Sequence, residues 1–113
     1  MSSFIMVYVT TSSKAEAEKI AQNLLSKHLV ACANIVGPVS SYFHWSGKID
    51  AAEEYLMIMK SRSDLFVELS ERVKVLHSYE VPEVIAVPIV DGTKDYFDWM
   101  SSVLKVSCTI VYK

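Results

Sequence analysis

The stretch Leu29–Lys60, LVACANIVGPVSSYFHWSGKIDAAEEYLMIMK, decides how this chain folds. Leu29 to Val36 is apolar, Gly37-Pro38 interrupts it, and Ser40 to Trp45 resumes, which is the pattern of one long strand with a bend or bulge. Ser46-Gly47 is a hairpin signal, and Ile49 to Lys60 returns as a second long strand. In that returning strand Glu53, Tyr55, Met57 and Met59 share one face, while Glu54, Leu56, Ile58 and Lys60 share the other. Both faces are largely apolar, so cover is expected on both.

Reading outward from the hairpin, Phe4 to Thr10 is short, apolar and rich in β-formers, a buried strand. Ser13 opens a capping box with Glu16, and Ala17, Ile20, Ala21, Leu24 and His28 recur at helical spacing through Lys27. After the hairpin, Ser61 to Asp64 caps a second helix with the stripe Leu65, Leu69, Val73 and Leu76. Val84 to Val90 is a fourth strand, placed at an edge or bulged because Pro88 has no N–H to donate. Asp91-Gly92 turns the chain into a short helix, Asp95 to Leu104, and Val106 to Tyr112 forms a terminal strand. The order predicts an α+β fold, a ferredoxin-like βαββαβ sandwich with an additional C-terminal helix and strand, in a single domain over residues 1–113.

Composition narrows the function classes. A mean hydropathy of +0.26 is high for a chain of 113 residues, since a small body needs polar residues to cover its surface. Some apolar surface is expected to meet a partner, most simply another copy. A net charge of -2, with Lys and Arg scattered along the chain, argues against nucleic acid as a partner. The apolar runs fall short of the ~20 residues of a membrane-spanning helix, so no membrane insertion is expected. Met1-Ser2-Ser3 leads directly into the first strand without the basic and apolar segments of a signal peptide, and the chain reads as cytoplasmic. Cys32 and Cys108 form no C-x-x-C motif and read as reduced core residues.

Chemistry concentrates in His77-Ser78-Tyr79-Glu80-Val81-Pro82-Glu83, a helix-to-strand connection that carries an imidazole, a phenol and carboxylates on a rigid frame. His77 could serve as a general base, a proton shuttle or a metal ligand. On spacing alone a simpler role outweighs these: a partly exposed His77 ending the helix, where its dipole favours a cation, with Glu83 a solvated strand start. Cys32 packs most simply as a small buried hydrophobe, and as a soft ligand it would need further donors. No helical H-x-x-x-H pair, P-loop, G-x-G-x-x-G or G-x-S-x-G is present. The aromatic residues Tyr42, Phe43, Trp45, Tyr55, Tyr96, Phe97 and Trp99 have acidic neighbours, which suits core and subunit interface better than base stacking.

Four segments in order, Ala31-Cys32-Ala33-Asn34-Ile35, Tyr42 to Ile49, His77 to Glu83 and Tyr96-Phe97-Asp98-Trp99, resemble the CutA divalent-cation-tolerance family. The resemblance implies a PII-like homotrimer with long hairpins packed between subunits. It also implies a non-enzymatic role in divalent metal tolerance or response, with a metal ion or small molecule held in inter-subunit clefts. The residues implied for the cleft are Trp45, Lys60, His77, Tyr79 and Glu83, with His77 the metal candidate. A copper pattern in bacterial members uses a Cys late in the first strand and two successive His after the second helix. Here those places hold Val9 and Leu76, and only His77 matches. The resemblance therefore implies no obligatory cofactor and at most modest binding of copper or another divalent metal. Two alternatives stay open: a small acid-base enzyme using His77 with Glu83 as its orienter, and a trimeric scaffold, since some animal members are linked to anchoring acetylcholinesterase.

Overall fold

The computed structural model describes residues 3–106. Along the chain run β1 (Phe4–Thr11), α1 (Lys14–Ser26), β2 (Cys32–Trp45), β3 (Lys48–Arg62), α2 (Phe66–Leu76), β4 (Val84–Pro88) and α3 (Lys94–Val103). The strands form one antiparallel sheet in the order β2-β3-β1-β4, the arrangement expected of a ferredoxin-like sandwich. Pro88 ends the edge strand β4, where its missing N–H costs no ladder bond. Apart from Val106, the expected terminal strand lies outside the described residues.

Burial along β1 alternates strictly: Ile5, Val7, Val9 and Thr11 are buried, while Phe4, Met6, Tyr8 and Thr10 are only partly so. Directly paired residues of antiparallel strands share a face. The buried set therefore continues into Met57, Met59 and Ser61 of β3, and Ile20, Leu24, Leu69, Val73 and Met100 of the three helices join it in one core. The opposite face gathers Met6, Tyr8, Leu56, Ile58, Ile85 and Val87 without a helix over it. Cover on both faces of β3, expected from its sequence, is thus supplied on one face within the described chain.

Two glycines shape the hairpin. Ser46 and Gly47 both have positive φ, 52° and 78°, the geometry of the tight turns whose twist matches paired strands. At Gly37 a Cβ would stand 2.5 Å from the Tyr55 ring, so the absent side chain lets that ring close over the backbone. Between Val36 and Val39 the β2–β3 register shifts, the predicted bulge, and the hairpin beyond it runs far past the core. The molecule is accordingly elongated, 49 × 30 × 24 Å.

Local details depart from the sequence reading in three places. Ser13 does cap α1, its hydroxyl accepting from the Glu16 amide at 3.1 Å, but Glu16 reaches back to Ser12 rather than to Ser13. His28 leaves the helical stripe at φ 59° and its ring bonds the Val103 carbonyl. A short 3-10 turn at Ser63–Leu65 precedes α2, and Ser61 ends up buried against the Leu29 carbonyl instead of capping. No helix among the described residues is long and apolar enough to cross a membrane.

Candidate functional site

The connection after α2 is held by three residues of its own sequence. His77 closes α2 through its amide, 2.9 Å from the Val73 carbonyl, and then turns its ring inward. Nε2 lies 2.7 Å from the Thr10 carbonyl, which can only accept, so this nitrogen donates. Nδ1 accepts the Tyr79 amide at 3.0 Å, which leaves the proton on Nε2. The side chain is fully buried, not partly exposed as its polarity suggests. Both ring nitrogens are thereby engaged with backbone, and a metal at His77 would have to displace one of these bonds.

Glu16, at the start of α1, fixes the next residue. Its carboxylate accepts the Ser78 amide at 2.6 Å and stands 3.6 Å from His77 Nδ1. Burial pushes the Glu16 carboxyl up, yet the bonds from Ser78, the neighbouring His77 ring and the Ser12 amide together outweigh it and hold the group below the usual range. The connection is therefore pinned to the N-terminal end of α1 as well as to β1.

Tyr79 completes the set. Its ring stands 4.7 Å from that of His77, and its hydroxyl donates to Glu54 at 2.7 Å. Burial and the Glu54 carboxylate push the phenol up to about 12. Glu54 pairs with Val39 just beyond the β2 bulge, so this bond joins the connection to the root of the hairpin.

Between connection and hairpin opens a cleft of about 730 Å³, lined among others by Thr10, Phe43, Trp45, Glu54, Tyr79 and Glu83. Asp50 and Glu80 add two further carboxylates to the wall. The fold thus brings Trp45, Tyr79 and Glu83 together within one chain. His77 lies behind Tyr79 and does not line the space, while Lys60 sits elsewhere, its Nζ 3.5 Å from Cys32 Sγ across the β2–β3 pair. Cys32 itself is half-buried, more open than its small apolar neighbours suggest. Among the described residues no three His, Cys, Asp or Glu side chains converge as a metal site. Glu54 and the Thr10 carbonyl were not singled out in the sequence, although an acid alternating with Leu56 and Ile58 on an apolar face is a signal for Glu54.

Comparison with known proteins gives one answer. The profile of the CutA1 divalent ion tolerance protein family matches residues 5–103. The divalent-cation tolerance protein CutA of Archaeoglobus fulgidus is 46% identical over 99 residues, 88% of this chain and 96% of that protein. Its solved structure, described as a periplasmic divalent cation tolerance protein, superposes with a TM-score of 0.88 at 45% identity, covering 90% of this chain and 99% of that one. The chloroplastic protein CutA of Arabidopsis thaliana is 40% identical over 98 residues, 87% of this chain but 54% of that longer protein.

Proposed function

The chain belongs to the CutA1 divalent ion tolerance protein family, and from that premise we propose that it serves divalent-cation tolerance as a non-enzymatic homotrimer whose clefts take a metal ion or small molecule. The observation that carries this reading is the uncovered sheet face, where Met6, Tyr8, Leu56, Ile58, Ile85 and Val87 stand without a helix over them. A face of that kind is a place for association. The exposed Tyr42, Trp45 and Ile49 of the projecting hairpin supply a second contact zone. In this assembly a neighbouring hairpin brings its own Trp45 and Lys60 to the cleft that Trp45, Tyr79 and Glu83 of each chain already wall. The free thiol of Cys32 suits the reducing conditions of a cytoplasmic protein.

Copper, in this reading, binds modestly through His77, because coordination must first release the Thr10 carbonyl or the Tyr79 amide. The same two bonds weigh against an acid-base enzyme, since they leave His77 no free nitrogen for a substrate proton. Light scattering and copper titration test the proposal together. A mass of three times 12.7 kDa and weak copper binding that His77→Ala abolishes are expected. A monomer mass, or copper binding unchanged in His77→Ala, would overturn the corresponding half.

A further inference from the structure

Asp91, between β4 and α3, folds its carboxylate forward onto its own peptide bond, and Oδ1 accepts the Gly92 amide at 2.8 Å. Residues 89–93 belong to no strand or helix, and Asp91 and Gly92 are both exposed. Among the described residues no backbone carbonyl takes the Gly92 amide. Nothing in the sheet or the helices therefore has to open before this peptide bond and this carboxyl can move against each other.

An aspartate held this way is open to attack by the nitrogen it binds. The Gly92 nitrogen forms a bond to Asp91 Cγ, the amide proton and the carboxyl OH leave as water, and a five-membered succinimide closes. Water then adds to one of the two ring carbonyls. Opening at Cγ restores aspartate, whereas opening at the former main-chain carbonyl breaks its bond to Gly92 and leaves the chain running through Cγ as isoaspartate. Over the two steps no atom is gained or lost, and no oxidant or cofactor takes part.

Two features single out this aspartate. Asp91 alone among the aspartates precedes a glycine, whose missing Cβ leaves the nitrogen open to ring closure. Asp50 is the natural comparison, because its Oδ1 accepts the Ala51 amide at the same 2.8 Å. There, however, Asp50 pairs with Phe43 and Ala51 with Tyr42, so the ladder must open before a ring can form. Asp64, Asp95 and Asp98 stand in helical turns.

We propose that Asp91 is a site of spontaneous isoaspartate formation in the folded chain, with the Gly92 nitrogen as nucleophile. The product carries one more backbone carbon before Gly92. A Cβ on Gly92 would already stand 2.7 Å from Phe97 Cζ, and the Phe97 ring stacks on Phe4 at 4.6 Å. The longer linkage therefore falls on the contact that seats α3 against β1.

The intact chain, kept folded in neutral buffer at physiological temperature, is sampled over weeks and digested, and electron-transfer fragmentation tells isoaspartate from aspartate at each position. Isoaspartate should accumulate at 91 at least about tenfold faster than at 50, a barrier lower by about 1.4 kcal/mol or more. Asp91→Glu, in which the ring would need six members, should abolish the conversion at 91 and leave Asp50 unchanged. The isoaspartyl fraction, separated by ion exchange, should melt below the aspartyl one, and equal melting would remove the link to Phe97. Absence of isoaspartate at 91 in the folded chain, or accumulation at 50 that matches it, overturns the proposal.

Discussion

The phenol of Tyr79 and the carboxylate of Glu54 share a 2.7 Å hydrogen bond that fastens the end of α2 to the root of the β2–β3 hairpin. Tyr79→Phe should remove it and leave a buried acceptor, lowering stability by about 1–3 kcal/mol in denaturant melts. Burial and the Glu54 carboxylate push the phenol of the folded chain up to about 12, above its usual value of 10.0. Between those values the unfolded chain gives up a proton that the folded chain keeps, so stability is full below pH 10 and declines as pH rises toward about 12. In Tyr79→Phe that alkaline decline should shrink, and unfolding followed across this range checks it.

Glu16 gives the opposite pH dependence. Its folded carboxyl is held below the usual 4.5, so its contribution is present above that value and fades as pH falls through the folded one. Glu16→Gln weakens the charge-assisted bond to the Ser78 amide, and a loss of about 1–2 kcal/mol at neutral pH is expected. The variant's stability should also depend less on acid than the wild type's. Parallel acid titrations of the two, read by circular dichroism, decide the matter.

Gly37→Ala tests the hairpin bend. The new Cβ would press on the Tyr55 ring at 2.5 Å, and displacing that ring should cost about 1–3 kcal/mol. Gly37→Ala in a Tyr55→Leu background should cost less, because the obstructing ring is gone. A thermal-melt double-mutant cycle measures the difference.

Trp45 and His77 should separate assembly from folding. Trp45 is 63% exposed within one chain, so Trp45→Ala should leave the fold of the chain intact and weaken association. Were the ring buried between subunits, the loss there would be on the order of 3 kcal/mol. His77 is the reverse case, since His77→Ala strands the Thr10 carbonyl and the Tyr79 amide inside the chain and should cost about 2 kcal/mol or more of folding stability. Sedimentation over a dilution series, set beside denaturant melts, distinguishes them.

The strands and helices were legible because their periods are clean. Val7 and Val9 alternate with polarizable neighbours, Leu65, Leu69 and Val73 repeat at helical spacing, and Pro88 announced an edge. The segment 77–83 was also visible as a concentration of polar groups. Its internal wiring was not. The partners of His77 and Tyr79 lie 67 and 25 positions away, and one of them is a backbone carbonyl, which carries no side-chain signal. His77 looked partly exposed because a polar residue at a helix end usually meets water, whereas here two backbone groups replace that water.

Parity along β1 has a consequence for how this protein responds to change. Odd positions such as Val7 and Val9 point into the chain's own core, while even ones such as Met6 and Tyr8 lie on the face left open. A polar substitution at Val7 should unfold the chain at any dilution. The same substitution at Tyr8 should matter only at concentrations where copies meet. Neighbouring residues of a single strand would then answer to different physical variables, one to temperature alone and the other to how much of the protein is present.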